Sequence, residues 1–569
     1  MVDMPFDSFL FITLATLVSQ GLICLNDGIY VDSLLLMGLR KPERVHHLTH
    51  HCSQIGRPLV GQITAFIAKA NNLVMTYRII ALSSMWLIGL LTYMICRATG
   101  LLDSATALAV ALFTVAYTGH QMTVEFCVAR RFYAFQVFFL FAILLALLSV
   151  HHGPAIWLAL SVLSLPFLFI GFHLEAQLTY AFALPLLLAL NHLFFLPNDS
   201  SDPALVAMTA VLYCIAPVLF WKWSNIAHGC HGDYQNSYRP RFNPEITKKY
   251  ALRVFTYGVL GAITAPFKHL FGLRRGWLSL FPAAMIAGLF YHFELISVRI
   301  SGAFGIGLMT AGLVLLVLGN APFVLVLQPA GLRGWSTKNN VLIALPTALM
   351  LTGLIGLILQ GRLFSAGLGF IVAYFLMYLN MIHIDTMAIW AKHHSILRNI
   401  SQIPQAREAA VFAFHDRHPI RGSFDEHPEH FTLSVVFLLD LLWGQLCHLV
   451  IVEPTPKTEG YTQEEIGIAI RGTTMASVFD NMDRKGRQAA ITVDNGRLDL
   501  STFQAGLRYF WYRWFDKKGL DPFLAGLTTV TFAELQAPSG EQAGRPWSPG
   551  VAPFVGRWRN AAEDAPFAS

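Results

Sequence analysis

Charge is scarce in this chain of 569 residues, because Asp, Glu, Lys and Arg together make up 13% of the sequence. Soluble globular chains carry roughly 25%. Hydrophobic residues account for 55% of the chain, and the mean hydropathy is +0.52. The composition excludes an ordinary soluble globular protein and predicts a chain that crosses a membrane several times.

The sequence also lacks the short motifs of nucleotide, zinc and thiol chemistry. Neither GxxxxGK(S/T) nor GxGxxG occurs, which argues against a nucleotide-driven motor. The seven cysteines show no CxxC and no metal-ligand spacing, so we interpret them as small buried side chains. A disulfide between Cys52 and Cys230, which both lie in loops, is left open.

Long apolar runs dominate the first two thirds of the chain. Each approaches the roughly 20 residues that span a bilayer, and together they predict about 11–13 transmembrane helices. No basic stretch precedes the first run and no small-residue cleavage site follows it, so we expect a retained helix. The runs cover residues 6–25, 75–96, 102–118, 132–150, 154–171, 174–196, 204–223, 251–271, 277–296, 302–327, 340–360 and 364–390.

After about residue 391 the sequence becomes charged and richer in turn residues. Short apolar runs at 409–416, 432–442 and 489–493 predict buried strands, and 464–476 has helical spacing. The predicted organisation is a transmembrane domain at 1–391, a small soluble α/β domain at 392–535 and an irregular or disordered tail at 536–569. The fold class is an α-helical polytopic membrane protein with a C-terminal α/β domain.

Three polar loops alternate with the apolar runs so that all three lie on one membrane face. They cover 26–74, 119–131 and 224–250. The first opens with Asn26-Asp27-Gly28 and Asp32, and the second contains Glu125 and runs into Arg130-Arg131-Phe-Tyr133. Charge beside a membrane helix is costly, so these clusters predict a polar cavity for a phosphorylated or sugar-like ligand.

The residue types suit sugar transfer from a lipid-linked phosphate. Asp27, with Asp32 as second choice, is the candidate general base for the acceptor hydroxyl. The alternative is that Asn26-Asp27-Gly28 only ends the first helix, because these residues favour turns.

Arginine suits the departing phosphate, because its planar fork can pair with two oxygens. Arg130 and Arg131 are the leading candidates, and the alternative for each is interfacial anchoring by snorkelling. The loop at 228–242 adds sugar- and phosphate-binding candidates. The further candidates are Arg57, Asp233, Tyr238, Arg239 and Arg241.

These residues resemble the GT-C class of multi-spanning glycosyltransferases over roughly the first 250 residues. In that class the first loop carries an Asp, matched by Asp27 or Asp32, and a Glu-x-Arg-x-Tyr-like signature opens a later helix. Glu125, Arg131 and Tyr133 match that signature, with five residues between Glu125 and Arg131.

Two further stretches carry the resemblance. The run from Gly171 through His173 and Glu175 to Gln177 is similar to the polar entry of a later helix in these enzymes. Gly56-Arg57-Pro58-Leu59 resembles a first-loop stretch of bacterial membrane glucosyltransferases.

The resemblance implies an enzyme that transfers a sugar from a polyprenyl-phosphate donor to a lipid-linked glycan or cell-envelope polysaccharide. It implies an inner or plasma membrane protein of a bacterium, with the three polar loops external. Two alternatives stay open, a transporter or flippase of a lipid-linked glycan and a non-catalytic partner of envelope assembly. A transporter should show repeated halves and broken helices.

No cofactor is required by the sequence, although a divalent ion at Asp27 or Glu125 is left open. Four histidines, at 46, 47, 50 and 51, have helical spacing but lack the acidic residue of an HExxH site. The net charge of +6 fits contact with anionic membrane lipids. No basic module with interleaved aromatics indicates nucleic-acid binding.

Overall fold

A computed structural model gives the structure of two separate units of the chain. The helical unit comprises residues 1–27 and 39–383, and the C-terminal unit comprises residues 28–38 and 384–569. Within them the structure describes residues 4–30, 42–54, 56–125, 128–151, 153–190, 202–229, 243–272, 276–326, 331, 334–420, 439, 442–443, 449–452 and 487–535. The division falls inside one 40-residue helix, between His383 and Ile384.

The helical unit is built from α-helices with short 3₁₀ and π segments. Its 3₁₀ segments are Gln121–Val124, Gly276–Ser279 and Gly334–Ile343, and its π-helices are Ala129–Ala134 and Val254–Gly261. The α-helices are Phe6–Gln20, Leu22–Leu25, Pro42–Gln54, Pro58–Ile67, Leu73–Ala98, Ser104–Ala116, Phe135–Ser149, Pro154–Gly171, Gln177–Tyr180, Ala183–Leu190, Pro203–His228, Pro244–Arg253, Ala262–Gly272, Leu280–Phe293, Gly302–Leu325, Ala344–Ile358 and Arg362–Ser401.

Eight helices in the described part of the chain are long and apolar enough to cross a membrane, and four more apolar helices are shorter. The prediction of a helical polytopic membrane protein is confirmed. The long ones are Phe6–Leu25, Leu73–Ala98, Phe132–Ser149, Pro154–Gly171, Pro203–Ala227, Gly302–Leu325, Thr337–Ile358 and Arg362–Ser401.

Three of the predicted spans take a different form. The run at 102–118 yields the 13-residue helix Ser104–Ala116, whose residues from Thr106 onward are all buried. The run at 174–196 is broken into two short helices within its described part. The run at 251–271 contains the π-helix Val254–Gly261, because a wider turn interrupts the α-helix there.

Small residues let helices Gly302–Leu325 and Ala344–Ile358 approach closely. A Cβ added to Gly353 would lie 2.6 Å from the carbonyl oxygen of Gly305, and one added to Gly312 would lie 2.6 Å from that of Pro346. Membrane helices have little hydrophobic drive to associate, so such close backbone packing supplies much of the attraction.

The C-terminal unit contains a four-stranded sheet in the order β2-β1-β3-β4, formed by β1 (Ala409–Asp416), β2 (Leu449–Val452), β3 (Arg487–Asn495) and β4 (Thr528–Leu535). β1 runs parallel to β2 and β3, and β4 pairs antiparallel with β3. Helices Thr502–Trp514 and Lys517–Leu527 connect β3 to β4. The α/β prediction and the strands at 409–416 and 489–493 are confirmed. The run at 432–442, predicted as a strand, is described only at residues 439 and 442, which are helical, and 464–476 and 536–569 lie outside the described residues.

A buried ion pair fixes the end of β1 within this unit. The fully buried Lys392 ammonium donates to the Asp416 carboxylate and, at 2.9 Å, to the carbonyl of Ile420. Asp416 is mostly buried, with 11% of its side chain exposed. The polar end of this strand is therefore an anchored corner of the unit.

Gly305→Val should destabilise the helical unit, because its Cβ would lie 2.7 Å from the Leu357 side chain and 3.2 Å from the Gly353 carbonyl. We expect a loss of about 1–3 kcal/mol, typical of overpacking, measured as thermal unfolding in detergent. Gly307→Val is the matched control, since nothing lies within 4 Å of a Cβ there. Equal unfolding temperatures for the two variants would contradict this packing.

Candidate functional site

A buried arginine near the start of helix Leu73–Ala98 joins the ends of two other helical segments in the helical unit. The Arg78 side chain is 1% exposed. Its Nε donates to the carbonyl of Asn26 at 3.1 Å, and its Nη1 donates to the carbonyl of Val124. Asn26 is the C-cap of helix Leu22–Leu25, and Val124 ends the 3₁₀ helix Gln121–Val124. Terminal carbonyls of helices lack partners and carry partial negative charge, so one cation satisfies both ends.

The two carbonyls immediately precede the two predicted carboxylates. Asp27 follows Asn26 and is half-buried, and Glu125 follows Val124 and is fully buried. Arg78 therefore brings together two chain segments that are almost a hundred positions apart in the sequence. We name the group of Asn26, Asp27, Arg78, Val124 and Glu125 the arginine junction.

Glu125 is the C-cap residue of the 3₁₀ helix Gln121–Val124, and its side chain and carbonyl both accept hydrogen bonds from the backbone near the start of the π-helix. Its Oε2 accepts from the backbone N–H of Val128 at 2.9 Å, and its carbonyl accepts from that of Ala129 at 2.9 Å. A carboxylate at a helix N-terminus is favoured by the dipole and by the unpaired N–H groups. The Glu125 side chain thus has a structural partner at the start of the π-helix.

The π-helix Ala129–Ala134 holds Arg130, Arg131 and Tyr133. π-helical turns are rare and often occur at functional sites. The backbone of both arginines is described, and their side chains lie outside the described part of the structure. The hydroxyl of Tyr133 lies 3.2 Å from Nδ1 of His120.

His120 connects this π-helix to helix Ser104–Ala116. Its Nε2 lies 3.1 Å from the carbonyl of Thr114, and a carbonyl can only accept, so Nε2 carries the proton and Nδ1 accepts from Tyr133. Burial lowers the pKa of His120 to about 4, while the bond to Thr114 raises it by less. His120 is therefore neutral at physiological pH.

The loop from Tyr117 to Glu125 is anchored on several sides. Tyr117 donates to the carbonyl of Gly258 in the second π-helix at 2.6 Å. Gln121 donates to the Tyr378 hydroxyl at 3.3 Å, and Thr123 donates to Gln20 at 2.9 Å. Burial raises the pKa of the Tyr117 phenol, which therefore stays protonated. The loop is a rigid platform rather than a solvated link.

Arg57 and Glu175, both predicted from sequence, form an ion pair. Nε of Arg57 lies 3.2 Å from Oε1, and Nη2 lies 2.9 Å from Oε2. The Arg57 side chain is 4% exposed and the Glu175 side chain 47%, so one edge of a paired guanidinium–carboxylate unit meets solvent. His173, two residues earlier, is buried against Phe135, Phe169 and Phe220.

Several other predicted positions lie outside the described residues, and the structure does not place them. These are Asp32, Asp233, Tyr238, Arg239, Arg241 and the candidate disulfide partner Cys230.

Among the described residues, no three His, Cys, Asp or Glu side chains come together as metal ligands. The histidine-rich stretch forms part of helix Pro42–Gln54, where His50 lies 3.3 Å from the Gln54 amide.

Sequence reasoning missed Arg78, His120 and Gln20. Arg78 carried a usable signal, because it is a cation within the apolar run at 75–96, whereas the other cation of helix Leu73–Ala98, Arg97, lies in its last turn. Charged residues inside membrane segments usually have a function. The partners of Arg78 are backbone carbonyls, which no side-chain motif reveals.

Comparison of the chain with family models, with curated proteins and with solved structures finds no match. The fold and the site define a class: a helical polytopic membrane protein in which buried polar and charged groups gather where three spanning helices begin or end.

The stability of the helical unit should depend on the protonation of His120. Its folded-state pKa of about 4 lies below the ~6.5 of an exposed histidine, so the unfolded state binds more protons between these values. The free energy of unfolding should have its full value above pH 6.5. It should fall by up to about 3 kcal/mol as the pH drops towards 4.

Unfolding in detergent across this pH range measures the effect. The free energy of unfolding of His120→Gln should depend less on pH between 4 and 6.5 than that of the wild-type protein. The exposed control His50→Gln should keep the wild-type pH dependence. An unchanged pH profile in His120→Gln would contradict the buried neutral ring.

Proposed function

We propose that this protein is a membrane glycosyltransferase that moves a sugar from a polyprenyl-phosphate donor to a lipid-linked glycan or cell-envelope polysaccharide. The observation that carries the proposal is the arginine junction, where Arg78 holds the segments of Asp27 and Glu125 on one guanidinium. A buried cation bonded to two chain segments that each continue into an acidic residue is costly beside membrane helices and suits a site for charged chemistry.

Asp27 is the better candidate for the general base. It is half-buried, whereas Glu125 is fully buried and its carboxylate accepts from the backbone N–H of Val128. In the proposed step, the Asp27 carboxylate takes the proton of the acceptor hydroxyl while the hydroxyl oxygen of the acceptor bonds to the anomeric carbon of the donor sugar. The bond from that carbon to the phosphate oxygen breaks, and the electron pair leaves with the polyprenyl phosphate.

The leaving phosphate gains negative charge and needs cations nearby. Arg130 and Arg131 lie in the first turn of the π-helix Ala129–Ala134, close in sequence to the arginine junction. Arg57 is the further candidate, with its fork oriented by Glu175. The membrane is that of a bacterial cell in this proposal, and the loops at 26–74, 119–131 and 224–250 face outward.

A second candidate function is transport of a lipid-linked glycan, and one feature favours it. The broken segment after Gly171 buries Gln177 and Tyr180, and neither the Gln177 amide nor the Tyr180 hydroxyl has a hydrogen-bond partner among the described residues. Thr179 donates to the carbonyl of Leu318 at 2.5 Å, which places this segment on helix Gly302–Leu325. Discontinuous helices with buried polar groups are also typical of transporters.

Asp27→Asn should abolish sugar transfer while the protein still folds and inserts. Loss of a general base costs roughly 10²–10⁴ in rate. The assay follows labelled sugar from a panel of polyprenyl-phosphate hexoses and pentoses in proteoliposomes. Asp7→Asn, at the opposite end of the first helix, is the matched control and should keep the wild-type rate.

Full transfer by Asp27→Asn would remove the base assignment. No transfer by the wild-type protein, combined with movement of the lipid-linked sugar across the bilayer, would favour the transporter.

A further inference from the structure

Helix Thr502–Trp514 of the C-terminal unit presents an apolar face to solvent. Leu507, Trp511, Trp514 and Phe515 are 41%, 57%, 43% and 64% exposed. Their spacing of four, three and one residues puts them on one side of the helix and its end. Among the described residues of this unit, no other large hydrophobic side chain is exposed to this degree.

The opposite side of the same helix is held against the unit's own core. Ala505, Gly506 and Tyr509 are buried there. A Cβ added to Gly506 would lie 2.1 Å from the carbonyl oxygen of Ile384, so the helix packs on that backbone without an intervening side chain. The apolar face therefore cannot turn inward without breaking this contact.

The exposed aromatic rings form an ordered group. Trp511 and Phe515 stack with 5.1 Å between ring centroids, and Phe510 meets Phe515 at 5.8 Å. The capping box of Ser501 and Gln504 fixes the start of the helix. The face is a preformed surface of rigid rings and not a set of scattered side chains.

Three exposed cations lie on or close in sequence to this face, and two acids near them accept hydrogen bonds. Arg508, Lys517 and Lys518 are exposed. Asp521 accepts two bonds from Arg398 at 2.7 and 2.9 Å, which lowers the pKa of its carboxyl, and Asp516 accepts from the Gly519 N–H. The surface presented outward is aromatic at its centre and positive at its edge.

We propose that this face, formed by Leu507, Trp511, Trp514 and Phe515 with Arg508, Lys517 and Lys518, binds the anionic headgroup layer of the lipid bilayer. Tryptophan favours the membrane–water interface, and Lys and Arg can bury their stems while their charges meet lipid phosphates. An amphipathic helix with an apolar face and basic edges is the usual form of an interfacial element. The chain enters this unit directly from the candidate membrane span Arg362–Ser401, so the unit is tethered to a bilayer.

The test uses the full chain in nanodiscs, with native cysteines replaced and a spin label at Phe515→Cys. Collision rates with oxygen, which is enriched in lipid, and with a water-soluble nickel chelate report immersion. In bilayers containing phosphatidylglycerol we expect the oxygen-to-nickel ratio to be several-fold higher than for a label at the exposed Arg407. In pure phosphatidylcholine the ratio should fall.

Removal of the three cations tests whether anionic lipid causes the immersion of the label. The triple change of Arg508, Lys517 and Lys518 to Gln should lower the ratio at position 515, whereas Arg497→Gln, at another exposed cation of this unit, should leave it unchanged. A spin label that is exposed to water in every bilayer would overturn the proposal. An oxygen-to-nickel ratio that is equally high in bilayers with and without anionic lipid would also overturn it. Shielding from both reagents would mean that a protein surface covers the helix, and it would also overturn the proposal.

Discussion

The helical unit depends on the two bonds that the Arg78 guanidinium donates to the carbonyls of Asn26 and Val124. A buried guanidinium cannot lose its proton, so its charge must be met by acceptors within the protein. The ends of two helical segments meet this need because terminal carbonyls carry partial negative charge. One cation thus holds the end of the first span next to the end of the polar loop that follows Ala116.

This constraint explains the arrangement around the junction. Glu125 follows one of the bonded carbonyls and accepts from the backbone N–H groups of Val128 and Ala129, where the π-helix that bears Arg131 and Tyr133 begins. The neutral ring of His120 then ties Tyr133 back to Thr114. Asp27, next to the other carbonyl, is held on the same junction. The proposed transfer chemistry uses the two acidic segments that Arg78 brings together, which no single helix could provide.

Much of the fold could be predicted from the sequence, because spanning length and low charge act locally along each run. The strands at 409–416 and 489–493 followed from short apolar runs with turn residues. Tertiary pairing was not predictable, since Arg57 and Glu175 are 118 positions apart and were chosen for their own chemistry, not as partners. Arg78 was not predicted as a site residue because it lies within an apolar run. The catalytic assignments of Asp27 and Arg131 stay predictions.

Hydrogen exchange of the Arg78→Gln variant tests the junction most directly. Each bond from a charged donor to a buried carbonyl contributes about 1.5–3 kcal/mol. Backbone amides near residues 22–30 and 117–129 should therefore exchange at least about tenfold faster together, while the C-terminal sheet keeps its wild-type protection. Exchange that is unchanged in both segments, or faster in only one of them, would contradict the account that one guanidinium holds both.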